Sequence, residues 1–401
     1  MAKGQKIYQR HGKNIYFKNE DMDFNLQWML GCHSYGGLSI GEGFYIASRI
    51  KDGNVESWEK EFINYGIFQE NNANNLINEN NHIAAGKRFM CAFNAYRAAV
   101  MFMRPSRTDF NKIIAKFEET FQLSLKYTNI PIVPIEVPFE NSTLPGYFYK
   151  STKTGNNTPL IVIIGGSDSF REDLYFFGGA EAIRRDYNVL MIDLPGQGKV
   201  PERGLSFRHD MEKPFMTAID WLKNNNSITT NKIGVYGVSG GGYFAMRPAA
   251  YDKRIKALAL STPIYDMYSV ISDSVPKILI WLSKYRRLIR FLFKSADVGI
   301  EKYFWQAGVK SYEEVIEKVK KMTVDIDLIE CPVFAVTGIS EGDELKRQTK
   351  TFYAKLKMKY NQSYYKEYQV SDGADSHCQI NNFPLAHQEL FDWFDLVLIN
   401  E

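Results

Sequence analysis

The sequence predicts an α/β fold built on a mainly parallel β-sheet. In the C-terminal two thirds of the chain, short apolar runs rich in β-branched residues alternate with stretches of helical periodicity. Continuous apolar strands separated by helices are typical of a parallel sheet that is covered on both faces. The predicted strands are 159–166, 188–196, 232–240, 255–262 and 332–338.

The N-terminal part of the chain has a different pattern. Residues 57–130 are predicted to be helical, and Pro131, Pro134 and Pro138 then break the pattern. We therefore expect a helical N-terminal cap domain over residues 1–140 and a catalytic α/β domain over 141–401. Between the last two predicted strands, residues 263–331 have helical periodicity and are too many for a simple crossover, so they predict an inserted helical lid.

Composition and charge limit the classes of partner. The 401 residues are 45% hydrophobic and 24% charged, as in an ordered globular chain, and 49 basic against 46 acidic residues give a net charge of +3. This balance predicts neither a nucleic-acid nor an anionic-membrane partner. No run of about 18 uncharged apolar residues predicts a membrane span. The basic stretch 277–293 is expected to be an amphipathic helix over an apolar pocket, with a membrane-surface helix as the alternative.

Cysteine spacing and the N-terminus indicate the compartment. The four cysteines are far apart and form no Cys-x-x-Cys pair, so we expect neither a disulfide framework nor a zinc site. The first ten residues lack the apolar run of a signal peptide, which favours a cytoplasmic protein. Neither a dinucleotide-binding loop nor a complete P-loop is present in the sequence, and we predict no metal or organic cofactor.

One pentapeptide predicts a nucleophile. Gly237-Val238-Ser239-Gly240-Gly241 lies between a predicted strand and a predicted helix, which is the context of a nucleophile elbow. The strained turn would expose the Ser239 hydroxyl, and the Gly240 amide would face a developing oxyanion. The second donor of this oxyanion hole is expected from Gly166 or Ser167, in the loop after the first parallel strand.

A nucleophilic serine needs a base and an acid further along the chain. Of the two downstream histidines, His377 follows a strand-like segment and is the predicted base, whereas His387 lies in an amphipathic terminal helix and is expected on its solvated face. The acid is expected just after strand 332–338. Asp343 is the preferred candidate because it follows a glycine in a turn and aspartate is the commoner triad acid. Glu341 is the alternative, and Glu344 also competes.

These segments resemble the α/β-hydrolases of the subgroup that contains dihydroxypseudooxynicotine hydrolase and the fungal hydrolases that shorten polyketide pigment precursors. The resemblance implies Ser239 as nucleophile, His377 as base and Asp343 as acid. It also implies that Asp168 is an extra carboxylate near the histidine, and that the protein is a homodimer. The matching segments are 36–58, 84–102, GGSDSFRED (165–173), DLPGQGK (193–199), GVSGGGYFAMRPAAYD (237–252) and GADSHCQINN (373–382).

Three reactions of a small-molecule substrate fit these residues. The resemblance favours hydrolysis of a C–C bond next to a ketone in an aromatic or polyketide-like compound. Ester or amide hydrolysis and cyclisation or acyl transfer are the alternatives, and a non-enzymatic protein with a relic hydrolase fold is the fourth hypothesis. Asp168 is either a solvated loop residue or a carboxylate that orients His377 or a substrate hydroxyl.

Overall fold

The computed structural model describes residues 9–153, 158–226, 228, 231–274 and 294–399. These residues form two compact units. A helical unit contains residues 13–132 and 294–303, and a sheet unit contains residues 9–12, 133–274 and 304–399, with the gaps given above.

The helical unit is built around one largely buried helix. The helices are α1 (Glu20–Gly31), α2 (Ile40–Ala47), α3 (Val55–Asn78), α4 (His82–Val100) and α5 (Phe110–Tyr127). Every residue of α4 from Phe89 to Val100 is buried, and α4 packs against both α3 and α5. Small and aromatic residues alternate along this part of α4, which lets neighbouring helices approach it closely.

The sheet unit confirms the predicted fold class. Its eight described strands are β1 (Ile132–Phe139), β2 (Ser142–Tyr149), β3 (Leu160–Ile164), β4 (Asn188–Ile192), β5 (Ile233–Val238), β6 (Ile255–Ser261), β7 (Val333–Gly338) and β8 (Tyr364–Tyr368). They are ordered β1-β2-β4-β3-β5-β6-β7-β8. Strand β2 pairs antiparallel with β4, and all pairings from β4 across to β8 are parallel.

Helices cover both faces of the sheet at β5. The helices that the structure describes after β3 are α6 (Gly179–Arg184), α7 (Glu212–Asn226), α8 (Gly241–Tyr251), α9 (Met267–Ser274), α10 (Lys294–Ala307), α11 (Tyr312–Val319), α12 (Asp343–Leu356) and α13 (Phe383–Leu398). Gly234 lies against Phe394 of α13, whereas Gly237 lies against Ala245 of α8. Because these two positions of β5 point to opposite faces, α13 and α8 cover opposite sides of the strand. The central strands β3, β4 and β5 are accordingly buried along their whole length.

The sequence did not predict β1 and β2, because the prolines in β1 were interpreted as a break. Strand β1 is the edge of the sheet, and Pro134 and Pro138 lie at exposed positions in it. Proline has no N–H to donate and is therefore tolerated on an edge strand. The boundary between the units falls at residues 132 and 133, ahead of the position 140 expected from the sequence.

Several other expectations meet the structure only in part. The segment 277–293 lies outside the described residues, and the described part of the 263–331 insertion contains α9, α10 and α11. No helix in the described ranges combines the length and the apolar character that crossing a bilayer requires. Cys32, Cys91, Cys331 and Cys378 are all buried free thiols.

Candidate active site

Ser239 lies in a strained turn between β5 and α8. Its backbone is in the left-handed region, with φ of +56°, a conformation that residues other than glycine rarely adopt. A Cβ on Gly237 would lie 2.3 Å from the carbonyl oxygen of Gly241, and one on Gly241 would lie 2.4 Å from that of Ile164. Both flanking positions of the pentapeptide therefore require glycine, as the elbow predicts.

His377 joins two of the expected groups. Its Nε2 lies 2.8 Å from Oγ of Ser239, and its Nδ1 lies 2.7 Å from Oε2 of Glu341. The imidazole is 7% exposed, and the His377 amide donates to the carbonyl oxygen of Arg10 at 2.7 Å. Ser239, His377 and Glu341 thus form a continuous line of hydrogen-bonded side chains, the arrangement that nucleophilic catalysis by serine needs.

The expected role of Asp343 as the residue that orients His377 is contradicted by the structure. The Asp343 side chain is 62% exposed, begins α12 and forms an ion pair with Lys346 at 3.1 Å. A carboxylate in the first turn of a helix is favoured there by the helix dipole, which accounts for this aspartate without a catalytic role. Glu344, the third candidate, forms an ion pair with Arg347.

Glu341 is held in place by four hydrogen bonds. Its Oε2 receives the Thr262 hydroxyl at 2.8 Å besides contacting His377, and its Oε1 receives the Gly338 amide at 2.8 Å and the Thr337 hydroxyl at 3.1 Å. The side chain is fully buried. A buried carboxylate without such donors would be strongly disfavoured.

One sequence signal could have identified this acid. Gly338-Ile339-Ser340-Glu341 has the spacing of a Gly-x-x-acid turn directly after β7. The sequence-based choice of Asp343 favoured the commoner triad acid, and it took the loop as longer than that turn. The spacing of the acid from Gly338 therefore predicted the partner of His377 better than the type of acid did.

The electrostatics of the pair favour an ionised acid beside a basic imidazole. Burial by itself raises the pKa of Glu341, but the charge of His377 and the hydrogen bonds from His377, Gly338 and Thr262 outweigh it, so the net pKa is lowered. Burial likewise lowers the pKa of His377, while Cys378 and Glu341 raise it, and the net direction is well above the ordinary histidine value. We attribute this rise to Glu341, because a thiol is uncharged at neutral pH.

The structure distinguishes among the three amides that were expected as oxyanion-hole donors. The Gly166 amide donates to Oγ of Ser169 at 3.0 Å, so it is not available to a ligand. A Cβ on Gly240 would lie 3.2 Å from the Ser167 nitrogen, which places these two residues side by side. In the described ranges, neither the Ser167 nor the Gly240 amide donates to a protein acceptor. Of the expected donors, Ser167 and Gly240 therefore fit the geometry.

Asp168 and His387 lie apart from this line of residues. Asp168 follows Ser167 in the same loop and is exposed. The two ring nitrogens of His377 lie within hydrogen-bond distance of Glu341 and Ser239. His387 is only 1% exposed and stacks on Phe383, so its expected place on a solvated helix face is wrong. Burial lowers the pKa of His387 to about 3.

The described residues show no obvious metal centre. No group of three or more His, Cys, Asp or Glu side chains in the described part of the chain is arranged to hold a metal ion.

Comparison with known proteins places the chain in a family. Residues 170–398 match the model of the prolyl oligopeptidase family, and residues 50–282 match the model of the FrsA-like esterases. The hydrolase acrC of Aspergillus aculeatus is 27% identical over 95% of this chain and 97% of its own length. The hydrolyase poxO of Penicillium oxalicum is 28% identical over 82% of this chain and 84% of its own length.

Solved structures support the same fold. The crystal structure of 2,6-dihydroxy-pseudo-oxynicotine hydrolase has a TM-score of 0.70 at 19% identity, over 92% of this chain and 96% of that chain. The structure of AbyA5 has a TM-score of 0.59 at 14% identity, over 86% of both chains. Each of the two family matches covers more than half of the chain. The chain therefore belongs to the prolyl oligopeptidase family and to the FrsA-like esterases, and it is a hydrolytic enzyme of the α/β-hydrolase fold.

Proposed function

We propose that the protein is a serine hydrolase in which Ser239 is the nucleophile, His377 the general base and Glu341 the acid that orients the imidazole. The observation that carries this proposal is the unbroken hydrogen-bonded line from Oγ of Ser239 through both nitrogens of His377 to Oε2 of Glu341. With Ser239 donating to Nε2, the proton of the neutral imidazole resides on Nδ1 and is donated to Glu341. This tautomer is the one that general-base catalysis requires.

The reaction proceeds in two halves. Oγ of Ser239 adds to the substrate carbonyl carbon as its proton passes to Nε2 of His377, and the amides of Ser167 and Gly240 stabilise the oxyanion. Collapse of the intermediate breaks the bond to the leaving group, which takes the proton from His377. Water, deprotonated by His377, then adds to the acyl-serine and releases the acid.

For the bond that is cleaved, we propose a C–C bond next to a ketone in an aromatic or polyketide-like small molecule. In that case the electron pair leaves on carbon as an enolate, and His377 protonates that carbon. The support is the resemblance of the motif segments to hydrolases of this kind, together with the match to 2,6-dihydroxy-pseudo-oxynicotine hydrolase over nearly the whole chain. That structural match supports the fold, and the substrate class remains our proposal.

Ester hydrolysis is the second candidate, and the match of residues 50–282 to FrsA-like esterases favours it. The two candidates are separated by comparing an aryl 1,3-diketone with an activated phenyl ester of the same acyl group. We expect both to be cleaved, with the diketone giving a methyl ketone and a carboxylic acid. Turnover of the ester alone would favour the esterase.

A variant of Asp168 provides a second way to distinguish C–C bond hydrolysis from ester hydrolysis. Because the nitrogens of His377 contact Ser239 and Glu341, we propose that Asp168 accepts a hydrogen bond from a substrate hydroxyl, with a solvated loop residue as the alternative. Asp168→Asn should then slow cleavage of a hydroxylated aryl diketone strongly and leave phenyl ester hydrolysis nearly unchanged. Equal rates on both substrates would make Asp168 an ordinary loop residue.

A fluorophosphonate probe tests the nucleophile itself. We expect the wild type to be labelled, Ser239→Ala to be unlabelled, and Ser311→Ala, which removes a serine that caps α11, to be labelled normally. The absence of labelling in the wild type, or equal labelling of Ser239→Ala, would contradict the proposal.

The cap, the lid, the homodimer and the cytoplasmic location remain predictions from the sequence.

A further inference from the structure

In the loop that is proposed to supply one oxyanion-hole amide, three successive backbone carbonyl oxygens accept hydrogen bonds from side chains. The carbonyl oxygens of Gly165 and Gly166 both accept from the side chain of Gln197, and the carbonyl oxygen of Ser167 accepts from Nε2 of Gln306. The Gly166 amide is bonded to Ser169. Within the described residues, the Ser167 amide donates to no protein acceptor, and it lies beside Gly240.

Gln197 is the centre of this arrangement. It lies in the turn after β4, is 1% exposed, and uses both ends of its amide. Nε2 donates to the Gly165 oxygen at 2.5 Å and to the Gly166 oxygen at 3.1 Å, while Oε1 accepts the Leu194 amide at 2.9 Å. The bond to Leu194 fixes which end of the side-chain amide faces the loop, since only Oε1 can accept an N–H.

We propose that Gln197 is a positioning residue for the oxyanion hole, which holds the Gly166–Ser167 peptide so that its N–H faces the nucleophile. In a planar trans peptide, the C=O and the N–H point in opposite directions. Fixing the Gly166 oxygen on Gln197 therefore fixes the direction of the Ser167 N–H. This inference rests on the proposed role of Ser239 and adds a residue that does not touch the substrate.

The proposal explains why a buried glutamine is needed at this position. A glutamate would still reach the loop, but it has no N–H and would set a negative charge against the carbonyl oxygens of Gly165 and Gly166. That repulsion favours rotation of the peptide, which would turn a carbonyl oxygen towards the oxyanion. Loss of one hole donor typically lowers the rate by about 10²–10³-fold.

The test compares two glutamines of the same kind. Gln348 is fully buried, its Oε1 accepts the amides of Tyr265 and Asp266, and its Nε2 donates to the Asp266 carbonyl oxygen and to Oε1 of Glu344, with no bond to the hole loop. Gln197→Glu and Gln348→Glu therefore each remove a buried side-chain N–H donor and add a carboxylate. For the full-length wild type and both variants, we would measure the rate of labelling by a fluorophosphonate as a function of pH, together with the melting temperature.

We expect Gln197→Glu to be labelled about 10²-fold more slowly. The pH midpoint of labelling should be unchanged in the uncharged variant Gln197→Met, because the His377–Glu341 pair is untouched. Gln348→Glu should be labelled at the wild-type rate. If Gln197→Glu does not fold, Gln197→Met, which has similar length and no charge, replaces it with the same expected loss.

Three results would overturn the inference: a wild-type labelling rate in the Gln197 variant, an equal loss in both glutamine variants, or a shifted pH midpoint in Gln197→Met that indicates a disturbed histidine. A wild type that is not labelled at all would instead contradict the proposed function. The two failures are therefore distinguishable.

Discussion

The nucleophile elbow and the acid turn are two short connections that follow parallel strands β5 and β7, and they are specified by different physics. In the elbow, backbone crowding at Gly237 and Gly241 and the φ of +56° at Ser239 leave few sequences that fit. In the acid turn, Glu341 and Asp343 are two residues apart, and both are compatible with the backbone. Buried hydrogen-bond donors, and not steric fit, therefore determine which of the two carboxylates lies in the interior.

The difference shows which features of a site are local. The crowding at Gly237 comes from Gly241 and Ala245, which are close in sequence, whereas the crowding at Gly241 comes from the backbone of Ile164 and Gly165. Both positions accept only glycine, so the pentapeptide is enough to predict the elbow. The donors to Glu341 come in part from Thr262, which follows β6, and from His377, which is 36 residues downstream. A carboxylate is therefore selected by residues that only the folded sheet brings together.

Replacement of the nucleophile should have the largest effect. Ser239→Ala and His377→Ala should each lower kcat by about 10⁴-fold or more, and the double variant should be little worse, because triad members act as a unit. Steady-state kinetics on the better of the two test substrates, with the melting temperature as a control for folding, checks this. Near-additive losses in the double variant would show that the two residues do not act together.

Replacement of Glu341 should cause the second-largest loss of activity. Glu341→Gln keeps the shape but removes the charge and can stabilise the wrong imidazole tautomer, so kcat should fall by about 10⁴-fold with little change in KM. Comparison of kcat in this variant and the wild type is sufficient. A loss smaller than about tenfold would make Glu341 a structural carboxylate.

The pH dependence of kcat/KM should reflect the same pair. The base must be neutral, and the pKa of His377 is raised, so activity should increase with pH through a midpoint above the ordinary value of about 6.5. Glu341→Gln removes the charge that favours the imidazolium, and the midpoint of its residual activity should move down. A midpoint that stays the same in this variant would show that Glu341 does not set the pKa of His377.

Replacement of Asp343 should have the smallest effect. Asp343→Asn removes an exposed ion pair with Lys346 and a favourable charge at the start of α12, which together contribute at most about 1 kcal/mol of stability. We expect kcat within about threefold of wild type and a small decrease in melting temperature. A loss of several orders of magnitude would restore Asp343 as the catalytic acid.

The sequence was sufficient to predict strands β3 to β7 and to single out Ser239 and His377 as candidates, because continuous apolar runs and the elbow motif are local patterns. It was insufficient for β1, since proline is compatible with both a linker and an edge strand. It also could not separate Gly166 from Ser167 as hole donors, because the Ser169 hydroxyl that occupies the Gly166 amide depends on the folded loop. The burial of His387 likewise depends on what α13 packs against.

The most direct test of the central claim is the proton NMR signal of the His377 Nδ1–H. A strong hydrogen bond to a buried carboxylate should give a proton resonance far downfield of the amide region. We predict that this resonance is present in the wild type and in Asp343→Asn, and that it moves upfield or disappears in Glu341→Gln. Its loss in Asp343→Asn together with its retention in Glu341→Gln would contradict the assignment of Glu341 as the partner of His377.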